Sequence, residues 1–121
     1  MTPQPDDHPD EQPGDQVGTR LLFENERVRV WDLALAPGET LEAHVHRLDF
    51  CFVVVRGGHL RHVHPEDPAQ DQDVRYEDDQ VVFLEAGEGL VHHRLVNVGG
   101  APYRNLVIEL KDGPGRPLRH P

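Results

Sequence analysis

The chain has one cysteine, Cys51, among its 121 residues, few basic side chains, and no apolar run near the length of a membrane span. A single thiol excludes an internal disulfide and a cysteine-based zinc cluster, and it fits a reducing compartment. Twelve Lys and Arg against 22 Asp and Glu leave a formal charge of −10. Without a basic run, such a surface repels phosphate backbones and anionic lipid, so neither nucleic acid nor a membrane is an expected partner. The opening segment MTPQPDDHPDEQPGDQVG has no basic n-region and no apolar h-region, and a cytoplasmic location is expected on that ground. GxSxG, a phosphate-cradling glycine loop and a dinucleotide fingerprint are also missing, which removes the common signatures of serine hydrolases, P-loop enzymes and Rossmann enzymes. Helical periodicity is lacking throughout, and that turns attention to strands.

What is present divides into three. Residues 1–18 are rich in Pro, Asp and Gln and cannot bury enough surface to offset their ordering entropy, so they read as a disordered acidic tail. Residues 112–121, with Pro114, Pro117 and Pro121, read as a loose C-terminal tail. The folded unit is then 19–111, small enough to bury only about 60 to 65% of its unfolded surface, and a homodimer is expected to compensate.

Within that unit the apolar segments are short, β-branched and bounded by turn residues, the pattern of antiparallel all-β structure. Strands are expected over 27–35, 42–46, 50–56, 59–64, 81–84, 90–98 and 103–110. The first changes phase between Val30 and Trp31, which suggests a bulge. Residues 65–80 are polar and acidic and read as one long loop, with Glu77, Asp78 and Asp79 simply solvated. Many short strands joined by glycine turns predict a sandwich or a jelly-roll barrel.

The segment GETLEAHVHRLDFCFVVVRGG, from Gly38 to Gly58, carries the chemistry. Side chains alternate along a strand, so His44 and His46 point the same way and can grip one metal ion. Pro37 and Gly38 make a turn before the pair, and valines follow it. A second HxH, His62 and His64, sits beside Arg61, Pro65, Glu66 and Asp67 and reads as surface.

This segment resembles the first motif of the cupins, G(X)5HXH(X)3-4E(X)6G. Gly38, His44 and His46 match it without a gap, while its glutamate position holds Phe50 counting back from Gly57, or Cys51 counting back from Gly58. The second cupin motif, G(X)5PXG(X)2H(X)3N, is represented by EGLVHHRLVN. There His93 stands four before Asn97, and the proline and glycine positions hold Glu88 and Leu90. The resemblance spans 19–111 and is closest to small, single-domain bacterial cupins. It implies an all-β double-stranded β-helix in which His44, His46 and His93 converge on a divalent transition metal, Fe, Ni, Zn, Cu or Mn. Loss of the carboxylate favours metals that suit imidazole over Mn. Water is then the expected fourth ligand, with Asp49 or Glu42 either ligating or orienting an imidazole N–H. Between the adjacent His92 and His93 only one can face inward; His93 shares parity with Val91, Leu95 and Asn97 and is taken as the third ligand.

On this reading the protein is a mononuclear metal-binding cupin that binds or acts on a small polar metabolite, by oxidation or isomerisation if it is an enzyme. Phe50, Tyr103, Arg29 and Trp31 are the candidate pocket residues. A non-catalytic cupin, serving as a ligand-binding or interaction module, is the alternative. A third reading comes from Cys51: HxH, four residues, then Cys and a Phe resembles the iron site of thiol dioxygenases, with Tyr103 as the partner for a covalent link. Cys51 can equally be a small apolar residue within its strand.

Overall fold

In the computed structural model, which describes residues 16–111, the alternating segments pair as antiparallel strands. They are β1 (Arg20–Glu24), β2 (Val28–Leu35), β3 (Thr40–Leu41), β4 (His44–His46), β5 (Phe50–Arg56), β6 (Gly58–Val63), β7 (Gln72–Tyr76), β8 (Val81–Leu84), β9 (Leu90–His92), β10 (Arg94–Asn97) and β11 (Tyr103–Leu110). A five-stranded sheet runs β1-β2-β11-β5-β8, a four-stranded sheet runs β3-β10-β6-β7, and β4 pairs with β9 as a ribbon. The inward residues of both larger sheets meet in one core: Leu33 and Leu35 of β2, Phe50, Phe52 and Val54 of β5, Leu60 of β6, Leu95 of β10. The expected all-β jelly roll is what the chain forms.

Two glycines are required where the strands turn. Gly38 has φ +85°, a conformation side chains rarely adopt. At Gly57 a Cβ would come within 2.2 Å of the Tyr76 carbonyl oxygen. Its N–H donates to Asp78 Oδ1 at 2.7 Å, so Asp78 caps a turn rather than being merely solvated.

Several expectations are corrected. Residues 65–80 are not one loop: β7 lies within them, paired with β6 from Gly58↔Tyr76 to His62↔Gln72. Its apolar side chains are only Val74 and Tyr76, both half-buried, so the strand is hidden by its polar outer face. β1 was not expected at all; RLLFE does not alternate, and all five residues are exposed. The pairing of β2 with β11 is continuous from Leu110↔Val28 to Tyr103↔Leu35, so no bulge interrupts that pair; the irregularity lies in β1, between Leu21 and Phe23. The segment 90–98 is split at His93, where the chain leaves the ribbon with β4 and joins β3 and β6. Val17, assigned to the tail, is 1% exposed and belongs to the core. Residues 1–15 and 112–121 lie outside the described residues.

Candidate metal centre

The site is built where β4 meets β9. The turn at Pro37 and Gly38 and the short β3 deliver the chain into β4, and β9 runs antiparallel beside it with His44 opposite His92 and His46 opposite Leu90. Residues directly opposite in an antiparallel pair face the same side, so His44, His46 and His92 share one face and Val45 and Val91 take the other. Their ring centroids lie 4.8–5.3 Å apart, and one nitrogen from each ring falls within 4.8 Å of the other two. Nitrogens on a single ion, with bonds of about 2.1 Å, can be at most about 4.2 Å apart, so a small rotation of the rings closes the set.

The donor chemistry fits a divalent cation. His44 is 4% exposed and His46 is 2% exposed. Nδ1–H of His44 donates to the Glu42 carbonyl at 3.1 Å, a bond that fixes the tautomer and leaves Nε2 as the free lone pair. Nδ1 of His46 is buried with no partner among the described residues. Burial lowers the pKa of His44. Burial, then the neighbouring His92 and His44 charges, bring His46 down to about 3. Burial, reinforced by His44, His62 and His93, brings His92 down to about 4. All three are therefore neutral at pH 7, the form that ligates metal.

The trio opens on a pocket also lined by Phe50, Tyr103, Asn105, His62 and His93. It encloses about 40 Å³, room for roughly three waters.

No family model and no curated protein matches the chain. Among solved structures, a cupin domain from Bordetella pertussis Tohama I is 22% identical over 84% of this chain and 98% of its own, with a TM-score of 0.64. A protein with a double-stranded β-helix domain from Klebsiella pneumoniae subsp. pneumoniae is 18% identical, covers 86% of this chain and 85% of its own, and gives a TM-score of 0.59. An RmlC-like cupin family protein from Methanocaldococcus jannaschii gives 0.56 at 15% identity, covering 75% and 76%. The chain has the cupin fold.

Against the cupin pattern, the third histidine is the main correction: the structure groups His92, not His93, with His44 and His46. Parity counted back from Asn97 fails because β10 begins only at Arg94 and His93 lies in the break. The available signal was Gly89, three residues before His92, which fits the G(X)2H part of the second cupin motif. His93 is exposed at the pocket rim, its ring 5.6 Å from that of His64. Asn97 is structural: Nδ2 donates to Leu35 O and Ala101 O, and Oδ1 accepts from Gly99 N.

Neither proposed carboxylate reaches the trio. Glu42 is exposed and its Oε2 accepts from Thr40 Oγ1; only its backbone carbonyl serves His44. Asp49 Oδ1 accepts from Ala86 N at 2.9 Å, tying the β8–β9 turn to the start of β5. The cupin glutamate position holds Phe50, whose ring stacks on His46. Cys51 is half-buried on the face of β5 opposite Phe50 and Phe52, across from the exposed Phe83 of β8, and it does not line the pocket. That placement overturns the thiol-dioxygenase arrangement.

Of the pocket candidates, Phe50 and Tyr103 line it. Arg29 and Trp31 do not: Nε of Arg29 and Nε1 of Trp31 both donate to Glu109 Oε1 at 2.8 Å. Glu109 is 2% exposed, and its charge opposes the lowering of the His44 pKa. His62, expected at the surface, lines the pocket 6.1 Å from His92. It shares its face of β6 with the fully buried Leu60, a parity legible in the sequence. His64 instead accepts from Glu66 N and Asp67 N through Nδ1, so the second HxH is not a twin of the first.

Proposed function

We propose that this protein is a mononuclear metal-binding cupin in which His44, His46 and His92 hold one divalent transition metal, and that it binds or acts on a small polar molecule beside that ion. The observation that carries the reading is three largely buried, neutral imidazoles whose ligand atoms fall within 4.8 Å of one another at one end of a pocket. An all-imidazole set favours Fe(II), Ni(II), Cu(II) or Zn(II) over Mn(II). A bound ion would supply Lewis acidity and a template for oxidation or isomerisation. The protein's own groups do the rest: the Glu42 carbonyl orients His44, Phe50 covers one face of His46, and His62 and His93 place imidazoles in the pocket that can hold or pass a proton.

A second reading, ligand binding without turnover, is favoured by Phe50 in place of the motif's carboxylate and by a pocket lining without Asp, Glu, Lys or Arg. Elemental analysis of untagged protein, after anaerobic dialysis against each metal, separates a metal centre from its absence. Near-stoichiometric metal that is lost in His44→Ala supports the centre; no metal under any condition sinks it and leaves the binding barrel. Turnover assays on loaded protein then divide enzyme from binder.

We also read the protein as a cytoplasmic homodimer. The unpaired Cys51 supports the reducing compartment. The exposed Leu21, Leu22 and Phe23 on edge strand β1, with Val81 and Phe83 on the opposite edge strand β8, support self-association. Light scattering that gives the monomer mass across a concentration series would refute it.

A further inference from the structure

The pocket has a second polar end that the metal reading does not use. β11 turns Tyr103, Asn105, Val107 and Glu109 inward, and Glu109 lies opposite Phe50, near the imidazoles. Asn105 is four residues further along the strand, about 13 Å away, opposite Val54. There Asn105 Nδ2 donates to the Tyr103 hydroxyl at 2.7 Å. Asn105 is 4% exposed, yet its Oδ1 accepts no hydrogen bond among the described residues. The Tyr103 hydroxyl, which accepts from Asn105, donates to none of them. Buried polar atoms are nearly always paired in native proteins, so an open acceptor beside an open donor, both in the pocket lining, points to a missing complementary group.

The surroundings restrict that group. Apolar side chains such as Leu33, Phe52, Leu60 and Val107 form the walls, and no Lys or Arg is among the lining residues, so nothing at this end balances an anion. Burial pushes the Tyr103 hydroxyl well above the usual phenol range, and it stays a neutral donor. The cavity of about 40 Å³ admits only a few heavy atoms.

We propose that Tyr103 and Asn105 are a recognition pair for a neutral group carrying a hydrogen-bond donor and acceptor on one carbon, of which a primary amide is the simplest. The amide N–H donates to Asn105 Oδ1 and its carbonyl accepts from the Tyr103 hydroxyl. If the Asn105 amide turns over, the hydroxyl donates to Oδ1 and leaves Nδ2 and a phenol lone pair open, and the same ligand still satisfies both. Carboxylates and phosphates are rejected at this end. The proposal goes beyond the metal-pocket reading: it assigns a ligand to the end of the pocket away from the imidazoles and does not depend on a metal at the other.

The test uses full-length, metal-free protein titrated with propionamide, propionate at pH 8 and 2-butanone, while the Asn105 side-chain amide is followed by NMR. Propionamide is expected to shift that resonance saturably. Propionate is expected to leave it in place, and 2-butanone, which lacks the donor, to bind at least about fivefold more weakly. Tyr103→Phe keeps the ring and removes the donor; at least about a fivefold loss of propionamide affinity is expected. Propionate binding as tightly as propionamide, no response to propionamide, or unchanged affinity in Tyr103→Phe overturns the proposal. The probe selectivity of the wild type decides the matter even if the variant fails to fold. Because metal is left out of these titrations, failure of the metal centre shows separately, as loss of metal uptake by wild type with amide selectivity intact.

Discussion

The ring of Phe50 lies on the ring of His46, centroids 3.7 Å apart and planes 9° from parallel. The stack occupies the place of a motif carboxylate, so one side of the imidazole trio meets a hydrocarbon face instead of a charge. Phe50→Glu should put a carboxylate there. In metal-free protein that group is buried among neutral imidazoles, a costly position, and each kcal/mol lost should lower Tm by about 4–8 °C. With metal present the carboxylate becomes a ligand, and Mn(II) in particular should gain at least about tenfold in affinity. Thermal melts with and without metal check both effects; unchanged metal affinity would show that residue 50 does not reach the site.

His44 and His92 face each other across the β4–β9 ribbon, rings 5.3 Å apart. His92→Ala should therefore abolish stoichiometric metal uptake, whereas His93→Ala should retain it because His93 stands outside the trio. Elemental analysis of the two variants side by side decides the assignment, and retention in His92→Ala with loss in His93→Ala would reverse it.

The first half of the site was legible because its determinants are local: a turn at Gly38 and two histidines one residue apart on a single strand. Reading the second half required knowing where a strand ends. Parity holds only along continuous pairing, and the chain changes sheets at His93, so counting through that residue selected the wrong neighbour. The Gly89 to His92 spacing and the step from Leu60 to His62 carried usable signal. The Glu109 cluster did not, because Arg29 and Trp31 reach it from β2, some eighty residues away in sequence. β1 and β7 escaped for a simpler reason: both are edge strands and place few apolar side chains in the core, so the hydrophobic pattern that marks an inner strand is missing from them.

Cys51 points away from Phe50 and from the pocket. Cys51→Ser should therefore leave metal stoichiometry unchanged, and mass spectrometry of wild-type peptides should recover the Tyr103 peptide without a bond to Cys51. A recovered Cys51–Tyr103 cross-link, or metal lost in Cys51→Ser, would restore the dioxygenase geometry that the strand parity excludes.

Acid should weaken the metal-free protein between pH 7 and 5. Burial holds His44, His46 and His92 below the ordinary imidazole pKa of 6.5, with His46 at about 3 and His92 at about 4. The unfolded chain therefore binds more protons throughout the interval between 6.5 and those values, and stability rises with pH across it. The contribution is complete above about 6.5 and is lost as pH falls toward the folded-state values. At pH 5 His46 alone should cost about 2 kcal/mol. Asp73, held low mainly by its bond to Arg61, titrates below this window and does not blur it. His46→Leu should flatten the decline in Tm from pH 7 to 5. A wild-type Tm that stays level over that range would mean that protons reach the imidazoles without unfolding the barrel.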